Sequence, residues 1–373
     1  MLSAQHLHHT TRPSIAGILL VAAITPALAT SNDTAREKKD GATPVLTSEI
    51  KPGHLSDNRN KNSALTLFAE NDLGWSDKYY TSGLRAVYTT PAIFVNGIPK
   101  FFQDLLSLTP LAVPSPASPI AYHLHFAATH EFYTPKHETW RIPPPNDHPF
   151  AGLLYGTFGI SSETENRLDS LEIELGILGP SAGGQRVQND WHRVVNSPLS
   201  NGWHTQLRDE PIVQFAWTRI WRFQWLGNTG DCGGLELEWL PRLHLEAGTV
   251  RDYASAGWQW RTGWNLAKDF GTGLLHSSSA LVRPAANRDN TRIWFFLDVQ
   301  AEYWALNMPL DGNNWHQSRR VHSYPWVGQF SLGFATQFNQ WRLAITEVMR
   351  TKEFRGQDNE ISAYTSVSLN LSF

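Results

Sequence analysis

The stretch "GQRVQNDWHRVVN", residues 184–196, sets Gln188 and His192 four residues apart. On a helix that spacing places both on one face, one turn from each other, with Gln185 near them and Val187, Trp191, Val194 and Val195 elsewhere around the axis. Pro180, Gly183 and Gly184 precede this segment and Asn196 stands where a C-cap belongs. A neutral imidazole takes a proton from water near neutral pH, and a polar neighbour one turn back orients the ring or the water. The plainer alternative is a covering helix whose His is a surface residue. A second cluster lies in "FAENDLGWSDKYYTSG", residues 68–83, which gathers Asn71, Asp72, Asp77 and Thr81 around one connection. Asn and Asp are ordinary turn residues, and Gly83 suits a bulge or a close backbone approach. A carboxylate such as Asp72 can also hold a hard cation that polarises an ester carbonyl and stabilises its oxyanion. Together the two clusters outline a water-activating hydrolase site. Asn71 and Asp72 are adjacent and point to opposite sides of a regular strand, so both serve one site only at a bulge or a strand end.

The elements that must bring these residues together are strands. Period-two runs recur at roughly 64–70, 80–90, 121–133, 150–162, 168–178, 207–222, 235–249, 254–267, 291–306, 326–338, 340–350 and 363–373. In the last, Ala363, Thr365, Val367, Leu369, Leu371 and Phe373 share one face, and Tyr364, Ser366, Ser368, Asn370 and Ser372 the other. A sandwich strand alternates too. The sixteen Trp, among them Trp217 with Trp221 and Trp258 with Trp260 and Trp239, suit aromatic girdles at two membrane interfaces better than a core. The expected fold is all-β: an antiparallel transmembrane β-barrel of about twelve strands with a short helix in an extracellular loop. With the N-terminus in the periplasm, the outward connections are 71–79, 134–149 and 179–206. Residues 91–120 make an unusually long periplasmic connection, with room for a short helix around Phe101 to Leu108. The terminal Phe373 resembles the closing residue of bacterial outer-membrane proteins, which implies the barrel-assembly machinery as a partner during insertion.

Residues 1–29 read as a signal peptide: Arg12, an apolar run from Ile15 to Leu28, and an Ala27-Leu28-Ala29 cleavage site. The run is short for a membrane anchor. Residues 30–62 are polar and read as a flexible mature N-terminus, leaving 63–373 as a single barrel. Cys232 is the only cysteine, so neither an internal disulfide nor a zinc–thiolate site is available, and a net charge of −3 argues against nucleic acid.

Four stretches carry a family likeness: "AENDLGWSDKYYTSGL", "EFYTPKHETW" with "HPFAGLLYG", "GILGPSAGGQRVQNDWHRVVNSP" and "GWHTQLRDEP". The chain resembles the outer-membrane lipid A 3'-O-deacylase family. The resemblance implies a twelve-stranded barrel that removes the 3'-linked acyloxyacyl group of lipid A, the lipid anchor of lipopolysaccharide, with help from a divalent cation, usually calcium. It places the functional residues on Asn71, Asp72, Thr81, Gln188 and His192, with His192 as general base and Asp72 associated with the cation. It also implies a site between the barrel wall and the loop helix, facing the outer leaflet. The chain departs from the pattern at Pro198, where some members carry a functional Glu; Glu210 and Asp190 are the nearby acids. Lys136 and Arg141 are candidates for the anionic sugar headgroup. Two other readings stand beside this one: another outer-membrane lipid esterase such as a phospholipase, and a non-catalytic barrel acting as a channel or structural protein.

Overall fold

The computed structural model describes residues 62–71, 78–94, 100–111, 121–226, 235–266, 269–274, 291–358 and 360–373. The expected signal peptide, nearly all of the N-terminal segment, Asp72, Asp77 and Cys232 lie outside these residues. Twelve long strands follow one another in chain order: β1 Ala64–Asn71, β2 Tyr79–Thr89, β3 Ala121–Thr134, β4 Ala151–Glu163, β5 Arg167–Leu178, β6 Glu210–Trp221, β7 Leu235–Gly248, β8 Arg251–Trp264, β9 Arg292–Asn307, β10 Trp326–Phe338, β11 Trp341–Thr351 and β12 Ile361–Ser372. Each pairs antiparallel with the next, and β12 pairs back onto β1 from Ala64↔Ser372 to Asn71↔Thr365, so the sheet closes. Closure removes the open edges that a single sheet would expose. The strand ends fall within about three residues of those expected from alternation alone.

Alternation is also what sorts the side chains. In β12, Tyr364, Ser366, Ser368, Asn370 and Ser372 are buried inside while Leu369 faces out, as expected. Two bonds tie the closing seam within the lumen: Asn370 Nδ2 donates to Thr66 Oγ1 at 2.8 Å and Ser366 Oγ to Glu70 Oε1 at 2.9 Å. Leu67, Leu84, Phe126, Phe158, Phe215, Trp258, Phe295 and Trp341 point outward and exposed. That is the lipid-facing belt of a transmembrane barrel.

The interior is polar and paired. Arg251 lies between Glu246 at 2.8 Å, Glu174 at 2.9 Å and Glu131 at 3.5 Å. Arg242 meets Asp298 at 2.5 Å and Arg350 meets Glu302 at 2.8 Å. Charges taken out of water need such partners. The β8–β9 connection adds to the filling: Phe270 packs on Leu168, Ile220 and Leu240, and Asp269 pairs with Arg261 and Arg342. Nothing in the sequence pattern signalled that residues 269–274 pack inside the barrel. Helix α1, Lys100–Ser107, lies in the long β2–β3 connection where a short helix was expected.

The rim bearing the opposite connections is interlocked. Arg319 Nη2 donates to the carbonyls of Pro143 and Pro144 at 2.8 and 2.5 Å. Glu210 accepts the backbone N–H groups of Asn314 and Trp315 at 3.1 and 2.9 Å. His322–Ser323 and Phe354–Arg355 form a small two-stranded ribbon there. Helix α2, Gly184–Val195, belongs to this rim, in the β5–β6 connection.

Candidate active site between helix and barrel wall

Helix α2 sits on the outside of the barrel because two glycines let it. Gly152 is on the outward phase of β4, the phase of the exposed Leu154 and Phe158. A Cβ on Gly152 would lie 3.3 Å from the backbone nitrogen of Gly184, and one on Gly184 would lie 2.7 Å from the ring of Trp203. Gly183 precedes the helix in the left-handed conformation, φ 76°, which favours glycine. His130, on the outward phase of β3, donates its Nε2–H to the carbonyl of Ala182 at 2.9 Å. At the far end Asn196 caps in the left-handed region, φ 56°, its N–H bonded to the His192 carbonyl.

The face of α2 turned to the barrel carries Gly184, Gln188, Asn189 and His192, all buried. Gln188 and His192 therefore share the buried face, as their spacing required; Gln185 does not, being exposed. Gln188 donates from Nε2 to Glu138 Oε2 at 2.8 Å and accepts from Trp203 Nε1 at 2.7 Å, which fixes which way its amide lies. Glu138 also accepts from Ser200 Oγ at 2.5 Å, and Ser200 N donates to Asn189 Oδ1 at 3.0 Å. His192 Nδ1 is 2.5 Å from the carbonyl oxygen of Pro198. A carbonyl only accepts, so Nδ1 is the protonated nitrogen and Nε2 the basic one in the neutral ring.

Two other residues singled out from sequence, Thr81 and Asn71, lie on the barrel wall. In β2, Tyr80 pairs with Tyr133 and Ser82 with Phe132, so Thr81 is the extra residue of a bulge. The Tyr80 hydroxyl reaches Glu70 in the lumen at 2.8 Å, and beyond the bulge Ser82 continues the outward phase. Thr81 is buried, its Oγ1 2.6 Å from Thr134 Oγ1 on the outward phase of β3. The bulge falls two residues before Gly83, the position whose residue type invited one. It turns the Thr81 side chain toward Thr134 on the outer side, and re-aiming a side chain is a common use of bulges. Asn71 closes β1 on the outward phase. Gly152, Phe132, Ser82 and Asn71 are register partners in one row across four strands, about 14 Å from end to end at ~4.8 Å per strand.

The remaining residues singled out from sequence are placed as follows. Lys136 pairs with Asp358 across two rim loops, and this lowers the pKa of the Asp358 carboxyl. Arg141 is exposed. Asp190 faces away from His192, bonded to Arg193 at 2.5 Å, and Glu210 holds the 314–315 backbone, so neither nearby acid fills the place left by Pro198. The buried acid on this face of α2 is Glu138, from the β3–β4 loop. Fifty residues separate it from Gln188, and no local pattern announces such a contact. Among the described residues, no three His, Cys, Asp or Glu are grouped to hold a metal. Asn71 and Thr81 offer neutral hard oxygens of the kind calcium accepts, but these alone do not make a calcium cage.

The family described as "Outer membrane protein LpxR" matches residues 18–373. The solved structure "LpxR from Salmonella typhimurium" is similar at 18% identity and TM-score 0.66, covering 83% of this chain and 100% of that one. At that identity the likeness establishes the fold. The β domain of the Bordetella autotransporter BrkA matches at 10% identity and TM-score 0.41, over 84% of this chain and 99% of that one. A comparison with curated proteins finds no match.

Proposed function

This chain belongs to the outer membrane protein LpxR family, a barrel of the bacterial outer membrane, and on that footing we propose that it is a lipid A 3'-O-deacylase. It hydrolyses the 3'-linked acyloxyacyl ester of lipopolysaccharide in the outer leaflet. The observation that carries this reading is the bond from His192 Nδ1 to the Pro198 carbonyl, on a helix seated against the outer wall. It leaves Nε2 as the base. Gly184 and His192 are eight residues apart, about 12 Å of helix, a span similar to the row from Gly152 to Asn71.

In the proposed reaction His192 Nε2 takes a proton from water and the resulting hydroxide adds to the ester carbonyl. The second amide hydrogen of Gln188 and the hydroxyl of Thr81, with the side chain of Asn71, steady the oxyanion. As the tetrahedral intermediate collapses, the imidazolium returns its proton to the 3'-oxygen, giving the freed acid and a 3'-hydroxyl. Pro198 supports the imidazolium through its carbonyl, a role that elsewhere falls to an acid. Calcium at Asp72, when bound, supplies positive charge beside the carbonyl; that assignment rests on Asp72 and on the family resemblance. Lys136 and Arg141 are proposed to meet the sugar phosphates, Lys136 after leaving Asp358. The barrel-assembly machinery is proposed to act through the Phe373 end.

The ion pairs from Arg251 on β8 to Glu174 on β5 and Glu131 on β3 reach across the lumen and count against the channel reading. The phospholipase reading is separated by substrate. Purified protein in vesicles should release acyloxyacyl groups from lipid A and leave phospholipid esters intact. Release from phospholipid alone would replace the lipid A reading.

A further inference from the structure

Helix α2 is amphipathic in the wrong sense for a water-soluble lid. Its barrel-facing stripe is polar, and its apolar residues face out: Val187, Trp191, Val194 and Val195 are 40%, 53%, 76% and 49% exposed. They follow an i, i+4, i+7, i+8 pattern, the stripe that ordinarily seeks a core. The other exposed flank carries Arg186, Asp190 and Arg193, with Asp190 bonded to Arg193 at 2.5 Å and to Arg186 at 3.7 Å. At about 100° per residue and with His192 at zero, the apolar flank covers roughly 60–160° on one side and the charged flank roughly 100–160° on the other.

This apolar flank continues the lipid-facing belt. Gly152, where α2 touches the wall, is two residues along β4 from Leu154 and six from Phe158, both outward and exposed. At ~3.3 Å per residue these are about 7 and 20 Å away. We infer that α2 is an interfacial membrane helix: Val187, Trp191, Val194 and Val195 lie among the acyl chains of outer-leaflet lipids, and Arg186 and Arg193 lie at the level of the phosphates. Val195 and Trp191 border the buried Gln188–His192 stripe on the apolar side. The acyl chains therefore approach His192 beneath the Val195–Trp191 edge, and the headgroup stays near the Arg193 edge. The occupant is lipid, because the stripe runs on from a belt already in lipid and its opposite edge is cationic.

The test is site-directed spin labelling in lipid vesicles, in a Cys232→Ser background. Labels go singly on Val187→Cys, Trp191→Cys and Val194→Cys, and on Arg186→Cys, Asp190→Cys and Arg193→Cys. Power saturation with oxygen and with a water-soluble nickel chelate then reads the depth of each. The inference expects the first three to be relaxed by oxygen and shielded from nickel, at about 5–10 Å depth, and the second three to show the reverse. Nickel access on both flanks would overturn it. So would spin–spin broadening at 187, 191 and 194 that vanishes on dilution with unlabelled protein, since the flank would then be covered by a second copy. The measurement needs no turnover, so it can fail while the deacylase reading stands, and the reverse.

Discussion

His192 gives its Nδ1 proton to the carbonyl of Pro198, 2.5 Å away across the turn that ends α2. A proline at 198 removes the acid that some relatives carry there, yet its backbone still fixes the tautomer. What holds this carbonyl in place is the loop segment that follows it, anchored two residues on by Ser200 to Glu138 and Asn189. The proposed general base is thus positioned by a loop, and the loop by a buried carboxylate.

Glu138 should accordingly behave as a positioning residue. Glu138→Ala leaves the Gln188 amide and the Ser200 hydroxyl without their acceptor, at about 1–3 kcal/mol for each unsatisfied group. The expected result is a fall in kcat of at least about tenfold with KM nearly unchanged, and partial rescue by Glu138→Gln, which keeps one acceptor oxygen. Steady-state kinetics on lipid A micelles check this. A change confined to KM would place Glu138 in substrate binding instead.

Gly184 packs directly against Gly152 of the wall. Gly184→Val puts carbon atoms into the fully buried Trp203 ring, an overpacking cost of about 1–3 kcal/mol. It should lift α2 and lower activity while the barrel still folds, as judged by its heat-modifiable gel mobility. Equal activity in wild type and variant would mean that the seat of α2 on β4 is dispensable.

How much of this was legible beforehand differs from residue to residue. The strands were, because lipid outside and polar lumen inside impose strict alternation, and the residues of β12 sort as read. The shared face of Gln188 and His192 was legible for the same reason, since 3.6-residue periodicity is local. Glu138, Ser200 and Trp203 were not: their partners lie eleven to sixty-two residues away, and only the closed fold brings them together. The bulge at Thr81 was foreseeable only in kind, since Gly83 two residues on invited one; for Asn71 it is the other alternative, a strand end, that the fold shows, because β1 stops there. Asp72 itself lies outside the described residues, so the cation rests on sequence alone.

His148, in the β3–β4 loop, predicts a pH dependence. Burial pushes its pKa down to about 4, and the ring stacks on Tyr133 while Nδ1 donates to the Pro149 carbonyl at 2.6 Å. The folded loop refuses a proton that the opened loop accepts near pH 6.5. The contribution is therefore complete above that pH and is lost as pH falls toward 4, by about 3 kcal/mol at most. Amide exchange across 134–150, corrected for intrinsic rate, should rise over that window in wild type and stay flat in His148→Phe. The same slope in both would assign the effect to another group.

Arg251 predicts the behaviour of the lumen. Removing it strands Glu131, Glu174 and Glu246 in the interior, a loss of about 3–5 kcal/mol for a broken buried pair. Arg251→Ala should unfold at clearly lower urea concentration than wild type, and an added Glu246→Gln should recover part of the difference. No recovery would show that the cluster does not act as an ion network.

The central claim is that His192 activates water against a lipid A ester, and the most direct measurement is mass spectrometry of lipid A from membranes expressing wild type or His192→Ala at matched levels, with and without a calcium chelator. The account predicts loss of a 3'-acyloxyacyl mass with wild type, abolished both by the substitution and by chelation. Unchanged lipid A alongside a correctly inserted wild-type barrel, or full deacylation by His192→Ala, would contradict it.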